Sequence, residues 1–191
     1  MLRIGVPAGI QGSLFAVSNV IIQSAFNSFG TAAISGGAAA GNIEGFSFVA
    51  MNAVHQAALN FSGQNMGAKK FDRVSKTMWV GMGIVTVLGI ALGIFTVAFA
   101  RPLLGIFITD SAEAIELGVV RLTYICLPYF ICGLMDVSAG VIRGMGSSLA
   151  PTVITVLGVC GVRLTWIYTL FRLPQFHTLE SLYIAYIVSW V

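Results

Sequence analysis

The chain has 191 residues, 57% of them hydrophobic and only 9% charged, with a mean hydropathy of +0.92. A soluble domain carries roughly 25% charged residues, so this composition excludes a soluble globular protein and makes the lipid bilayer the chain's first partner. The net charge of +3 is too small to indicate a nucleic-acid partner.

A spanning helix needs about 20 mostly apolar residues, and apolar stretches recur over 4–29, 32–62, 78–99, 115–142, 153–171 and 182–191. This predicts five complete spans and a sixth that holds only the first half of a helix. The first opens with Pro7, suited to a first turn where its missing N–H has no helical partner, and turns near Phe29-Gly30-Thr31. The second, from about Ala32 to Gly63, exceeds the ~30 Å hydrocarbon core at ~1.5 Å per residue and must tilt or extend beyond it. A polar and basic island follows, Gln64-Asn65-Met66-Gly67-Ala68-Lys69-Lys70-Phe71-Asp72-Arg73, and the third helix is expected after Lys76, ending at Arg101-Pro102.

The apolar but short segment 103–110 reads as lying at the outer interface. Ser111 is a candidate cap for the fourth helix, with Glu113 as acid in its first turn. Pro128 within that helix predicts a kink, and Arg143-Gly144-Met145-Gly146 predicts its stop. The fifth helix is expected from about Pro151 with Arg163 in its interior, and Leu173-Pro174-Gln175 breaks the chain before the sixth.

Basic residues sort by loop. With the Lys69 loop cytoplasmic, that side collects Arg3, Lys69, Lys70, Arg73, Lys76 and Arg143, while the outer side has Arg101 and Arg172 with Asp110, Glu113, Glu116 and Glu180. This positive-inside bias orients a multi-pass protein of the inner (plasma) membrane. Cys126, Cys132 and Cys160 fall within predicted helices without a CxxC spacing, which reads as packed thiols and not as a metal site. There is no Walker-type phosphate loop, no cluster of His and carboxylate ligands and no nucleophile elbow, so neither an enzyme nor a cofactor is expected. Active transport by this chain would draw on ion gradients.

Polar residues inside the membrane mark helix packing or a pathway. Glu44, Ser47, Asn52, His55 and Gln56 fall within about half the circumference of the second helix, and Asn19, Gln23 and Asn27 form an i, i+4, i+8 stripe on the first. The two faces are expected to line one cavity. Glu44 stands out, because a carboxylate near a helix centre costs on the order of 2.5–3.5 kcal/mol and must be protonated, paired or facing water. Asp136 is shallower, about 10 Å from the cytoplasmic end of its helix. Arg163 is the expected counter-ion of Glu44 or Asp136, whereas Arg121 is expected to reach the outer interface along its own stem. His55 reads either as a packed hydrogen-bonding group or as a proton relay. The candidate pathway is therefore Glu44, Asn19, Gln23, Asn52, His55, Gln56, Asp136 and Arg163.

Several motifs in order, Ile4-Gly5-Val6-Pro7-Ala8-Gly9, Gln64-Asn65-Met66-Gly67-Ala68 with Asp72-Arg73, Phe107-Ile108-Thr109-Asp110, Arg143-Gly144-Met145-Gly146-Ser147 and Arg163-Leu164, resemble the C-terminal half of the multidrug and toxic compound extrusion (MATE) transporters. The resemblance implies that residues 1–191 form an all-α, polytopic membrane bundle, a six-helix C-terminal lobe with its last helix truncated. It implies a missing N-terminal lobe as partner and an alternating-access antiporter that exports small cationic or amphipathic drugs in exchange for Na+ or H+, with no metal other than a coupling Na+. Some branches of the family carry a carboxylate in the helix that corresponds to the first one here, where this chain has Gln11, Asn19 and Gln23. A flippase of lipid-linked saccharides and a non-transporting membrane scaffold are the competing readings.

Overall fold

Backbone groups in a bilayer must satisfy their own hydrogen bonds, and in the computed structural model the chain does so with helices throughout. The structure describes residues 2–190, with the side chains of residues 2–8 and residue 11 outside the description. Helices α1 (Leu2–Asn27), α2 (Thr31–Gly67) and α3 (Phe71–Ala98) come first, then the short α4 (Ala100–Phe107). They are followed by α5 (Ala112–Cys126), α6 (Tyr129–Gly144), α7 (Leu149–Thr155), α8 (Val162–Tyr168) and α9 (Leu179–Trp190).

Local chemistry explains most boundaries. Gly30, at φ +95°, ends the α1–α2 turn in a backbone region that suits glycine. The Ala114 N–H donates to Ser111 Oγ at 3.2 Å, capping α5 as expected. Pro128 separates α5 from α6, which meet at a 42° bend, and two 3₁₀ turns, Leu170–Arg172 and Pro174–Phe176, break the chain where Pro174 predicted it.

Several boundaries differ from expectation; α3 ends at Ala98, so Arg101 and Pro102, expected to end it, fall inside α4. Helix α1 already runs from Leu2, which puts Pro7 beyond its first turn; the Pro7 ring and the Gln11 side chain lie outside the described residues. Helix α3 starts at Phe71 and not after Lys76, with Asp72 in its first turn facing the positive end of the helix dipole and Arg73 and Lys76 exposed. The expected single fifth helix begins at Leu149 and contains a π-helical turn, Val156–Gly161, between α7 and α8. A Cβ on either of its glycines, Gly158 or Gly161, would meet nothing within 4 Å, while Val159 and Cys160 of the same turn are buried against the bundle.

Among the described residues, Phe71–Ala98 and Leu149–Arg172 are each long and apolar enough to cross a membrane, and α5 with α6 forms a third, bent span. Helix α2 has the length, 37 residues, but glycine, serine, amide and charged side chains dilute its apolar character, and α1, 26 residues long, is described only in part. Of the five complete spans expected, α3 leaves much of its apolar surface exposed, whereas α2 is built for contact with its neighbours.

Helix α2 occupies the centre, packed against α3, α5 and α6. Without a hydrophobic drive between helices in lipid, close backbone approach through small residues supplies the packing. Gly36 lies against the Ala114 carbonyl of α5, and a Cβ on Gly93 of α3 would fall 2.6 Å from the Cys126 carbonyl. At the basic end, a Cβ on Gly144 of α6 would fall 2.5 Å from the Leu59 carbonyl of α2. Gly36→Ala is therefore expected to destabilise the protein by about 1–3 kcal/mol, the usual cost of overpacking, while Gly83→Ala, with nothing within 4 Å, leaves stability unchanged or raises it slightly. Thermal unfolding of the two variants in detergent checks the contrast.

Candidate functional site

The polar groups of the bundle centre on Glu44 of α2. Gly37, Gly41 and Glu44 share one face at i, i+4 and i+7, directed at Arg121 of α5. A Cβ on Gly37 would stand 3.4 Å from Arg121 Nη1, and one on Gly41 would stand 3.8 Å from Nη2. The two glycines thus leave the guanidinium its space. Arg121 Nε donates to Glu44 Oε1 at 2.7 Å and Nη2 donates to Oε2 at 2.9 Å, a bidentate pair across 77 positions of sequence. Its two side chains are only 16% and 15% exposed, and the guanidinium also lies 5.8 Å from the centroid of the Phe26 ring of α1.

This arrangement overturns two expectations. Arg121 does not extend to the outer interface; it turns inward to Glu44 because a buried carboxylate costs far more than a turned stem. Arg163 is not the counter-ion of Glu44. Buried in α8, it donates from Nε to Ser189 Oγ at 3.0 Å and from Nη1 to Asn19 Oδ1 at 3.3 Å, and its guanidinium stacks 4.2 Å from the Tyr186 ring centroid. It ties α1, α8 and α9 together.

Glu44, Asp136, Asn19 and Arg163 nevertheless line one cleft of about 360 Å³. Its aromatic wall is Tyr129, Tyr186 and Trp190, with Tyr129 and Trp190 edge to face at 5.5 Å. The Pro128 bend helps form it, because it places Tyr129 at the start of α6 while Asp136 follows two turns later. Glu44 therefore has one side against Arg121 and another toward the cleft.

The rest of the expected pathway separates from this site. His55 Nδ1–H donates to the Asp136 carbonyl at 2.6 Å and packs where Gly140 leaves room, the packed hydrogen-bonding arrangement of the two readings. Gln23 Nε2 donates to Asn27 Oδ1 at 3.1 Å on an exposed face and borders a separate small cavity beside Arg121. Asn52 is half-buried and Gln56 exposed, neither of them in the cleft. The single cavity expected between the α1 and α2 stripes thus contains only Asn19 and Glu44 from them. Sequence reasoning missed Arg121, Tyr129, Tyr186 and Trp190; the Gly37, Gly41, Glu44 spacing was the available signal for Arg121. Among the described residues there is no group of three or more His, Cys, Asp or Glu side chains that would hold a metal ion, and Cys126, Cys132 and Cys160 are free thiols.

A helical bundle built around a charged pair and a polar, aromatic-walled cleft is the architecture of a multi-pass membrane protein. The family model MatE matches residues 7–169, and the chain belongs to that family. It is 29% identical over 164 residues to the probable multidrug resistance protein YoeA of Bacillus subtilis, covering 85% of this chain and 35% of that protein. It is 25% identical over 164 residues to the probable multidrug resistance protein NorM of Thermotoga maritima, covering 86% of this chain and 35% of that one. Its fold superposes on the Vibrio cholerae MATE transporter VcmN with a TM-score of 0.88 at 22% identity, over 99% of this chain and 42% of the other. The chain thus spans about 35% of the length of these curated relatives.

The pair makes a sharp energetic contrast with the exposed Arg101–Glu116 pair, whose side chains are 71% and 58% exposed. Arg121→Gln, which strands the Glu44 carboxylate, is expected to cost about 3 kcal/mol. Arg101→Gln is expected to cost at most about 1 kcal/mol. Equilibrium unfolding of both variants in mixed micelles measures the difference.

Proposed function

We propose that the chain is the C-terminal lobe of a twelve-helix efflux transporter of the inner membrane. In this reading it acts with an N-terminal lobe to export small cationic or amphipathic compounds by alternating access, in exchange for Na+ or H+. The observation that carries the reading is the cleft in which two carboxylates, Glu44 and Asp136, share the walls with Tyr129, Tyr186 and Trp190. Aromatic faces and carboxylates together attract organic cations, the rings through their quadrupoles and the acids through charge. The names of the curated relatives, both probable multidrug resistance proteins, support the same cargo class.

Glu44 couples the ion to the movement. A proton or Na+ that reaches Glu44 from the cleft competes with Arg121 for the carboxylate. Its arrival weakens the link between α2 and α5 and changes the relative stability of the two orientations of the lobe, and a ligand shifts such an equilibrium only by its differential affinity for the two states. Asp136 and Asn19 contribute polar wall, and Arg163 fixes the far side of the cleft through α1, α8 and α9.

The test is accumulation of a fluorescent cationic dye in drug-sensitive cells that express the complete protein, with proton and sodium gradients collapsed separately. Accumulation should fall, and should recover when one of the two gradients is removed. Glu44→Gln, which also leaves Arg121 without its partner, should abolish export per folded molecule in the membrane. Normal export by that variant would remove Glu44 from coupling. Unchanged accumulation in cells expressing the unaltered protein would overturn drug export in favour of an anionic, lipid-linked cargo, for which Arg163 is the cleft's basic group.

A further inference from the structure

A second cleft, of about 370 Å³, runs between α2 and α3 and shares no lining residue with the cleft at Glu44. Its α2 wall is Val54, Ala57, Ala58 and Phe61, at i, i+3, i+4 and i+7, with Asn65 a turn further on at the basic end. On α3 the lining residues begin with Arg73 and Lys76 at the basic end and continue through Val80 to Ile84. Small residues line the groove, Ala57 and Ala58 on α2 and Gly81 on α3, where a Cβ on Gly81 would stand 3.8 Å from that of Ala58.

We propose that this groove holds an anionic phospholipid of the cytoplasmic leaflet, with its phosphate on Arg73 and Lys76 and one acyl chain between Phe61, Val80 and Ile84. Length supports this occupant. From Arg73 to Ile84 is eleven residues of helix, about 16 Å, close to the ~15 Å depth of one leaflet. Charge supports it as well. Lys69 and Lys70 flank the mouth, and among the described residues no carboxylate forms an ion pair with any of these four basic side chains. Asp72 lines the mouth with these four basic residues but is not part of the groove wall, and the mouth keeps a net positive charge. A basic pocket between membrane helices at the cytoplasmic side is the arrangement that recognises acidic lipid headgroups. The surroundings are those of a lipid-facing surface, since Trp79, Val80, Ile84 and Val87 of α3 are all more than half exposed.

The proposal is independent of the transported cargo and of the role of Glu44. It is tested with the complete protein in detergent by native mass spectrometry during titration with phosphatidylglycerol or phosphatidylcholine. Phosphatidylglycerol should be retained preferentially. Arg73→Gln with Lys76→Gln should weaken that retention about 30-fold, the effect of two basic charges near an anionic headgroup. Lys69→Gln with Lys70→Gln, which removes the same charge outside the 370 Å³ groove, should have a clearly smaller effect. Ala57→Phe, which fills the groove without changing charge, should also weaken retention, and a thermal unfolding curve like that of the unaltered protein shows that it remains folded; Ala57→Leu serves if it does not. Equal losses from the two charge pairs would mean attraction by surface charge alone. Undiminished retention by the folded Ala57 variant, or equal binding of both lipids, would likewise overturn the proposal.

Discussion

The bidentate bond between Arg121 and Glu44 sets the terms for the centre of the bundle. A carboxylate in this position cannot be left alone, and a guanidinium offers two parallel donors that match its two oxygens. The pair adds little net stability compared with an apolar contact of equal size, yet loss of either partner is expensive. Helices α2 and α5 are thereby obliged to meet in one register. Gly37 and Gly41 give the guanidinium its room, and Gly36 on the same helix brings the α5 backbone close at Ala114. The charge pair and the glycine contacts therefore support the same alignment.

That alignment determines what the remaining polar residues can do. With Arg121 committed to Glu44, Arg163 is left to bind neutral oxygens and an aromatic face, and it joins α1 and α9 to α8 through Asn19, Ser189 and Tyr186. The cleft lies between these two arginine centres, bordered by Glu44 from one and by Arg163 from the other. The Pro128 bend places Tyr129 and Asp136 on its wall. His55 is withdrawn from the cleft by its bond to a backbone carbonyl beside Gly140, which couples α2 to α6 without placing a titratable ring in the path.

Much of the fold was legible because it is written in local chemistry. Ser111 as a cap, Pro128 as a bend and Pro174 as a break act within a few residues of themselves, and each appears where the sequence predicts it. Helix α3 began early because charged residues at a membrane surface extend a helix beyond its apolar core, which a hydropathy boundary cannot register. The π turn at Val156–Gly161 leaves no pattern in hydropathy at all. The site was half legible. Glu44, Asp136, Asn19 and Arg163 are all on the cleft, since buried polarity is visible residue by residue. The partner of Glu44 was not, because Arg121 is 77 positions away and its depth along α5 suggested a surface role. The aromatic wall was hidden for a different reason: Tyr129, Tyr186 and Trp190 read as ordinary apolar helix residues until α6 and α9 converge.

A double-mutant cycle on the complete protein probes the Arg121–Glu44 link itself, with unfolding free energies measured for Glu44→Gln, Arg121→Gln and both together, and for Glu44→Gln with Arg163→Gln. Strong coupling is expected between Glu44 and Arg121, at least about 1.5 kcal/mol, with additivity within about 0.5 kcal/mol for Glu44 and Arg163. Additivity of Glu44 with Arg121, or strong coupling to Arg163 instead, would mean that the bundle centre is not organised around this pair.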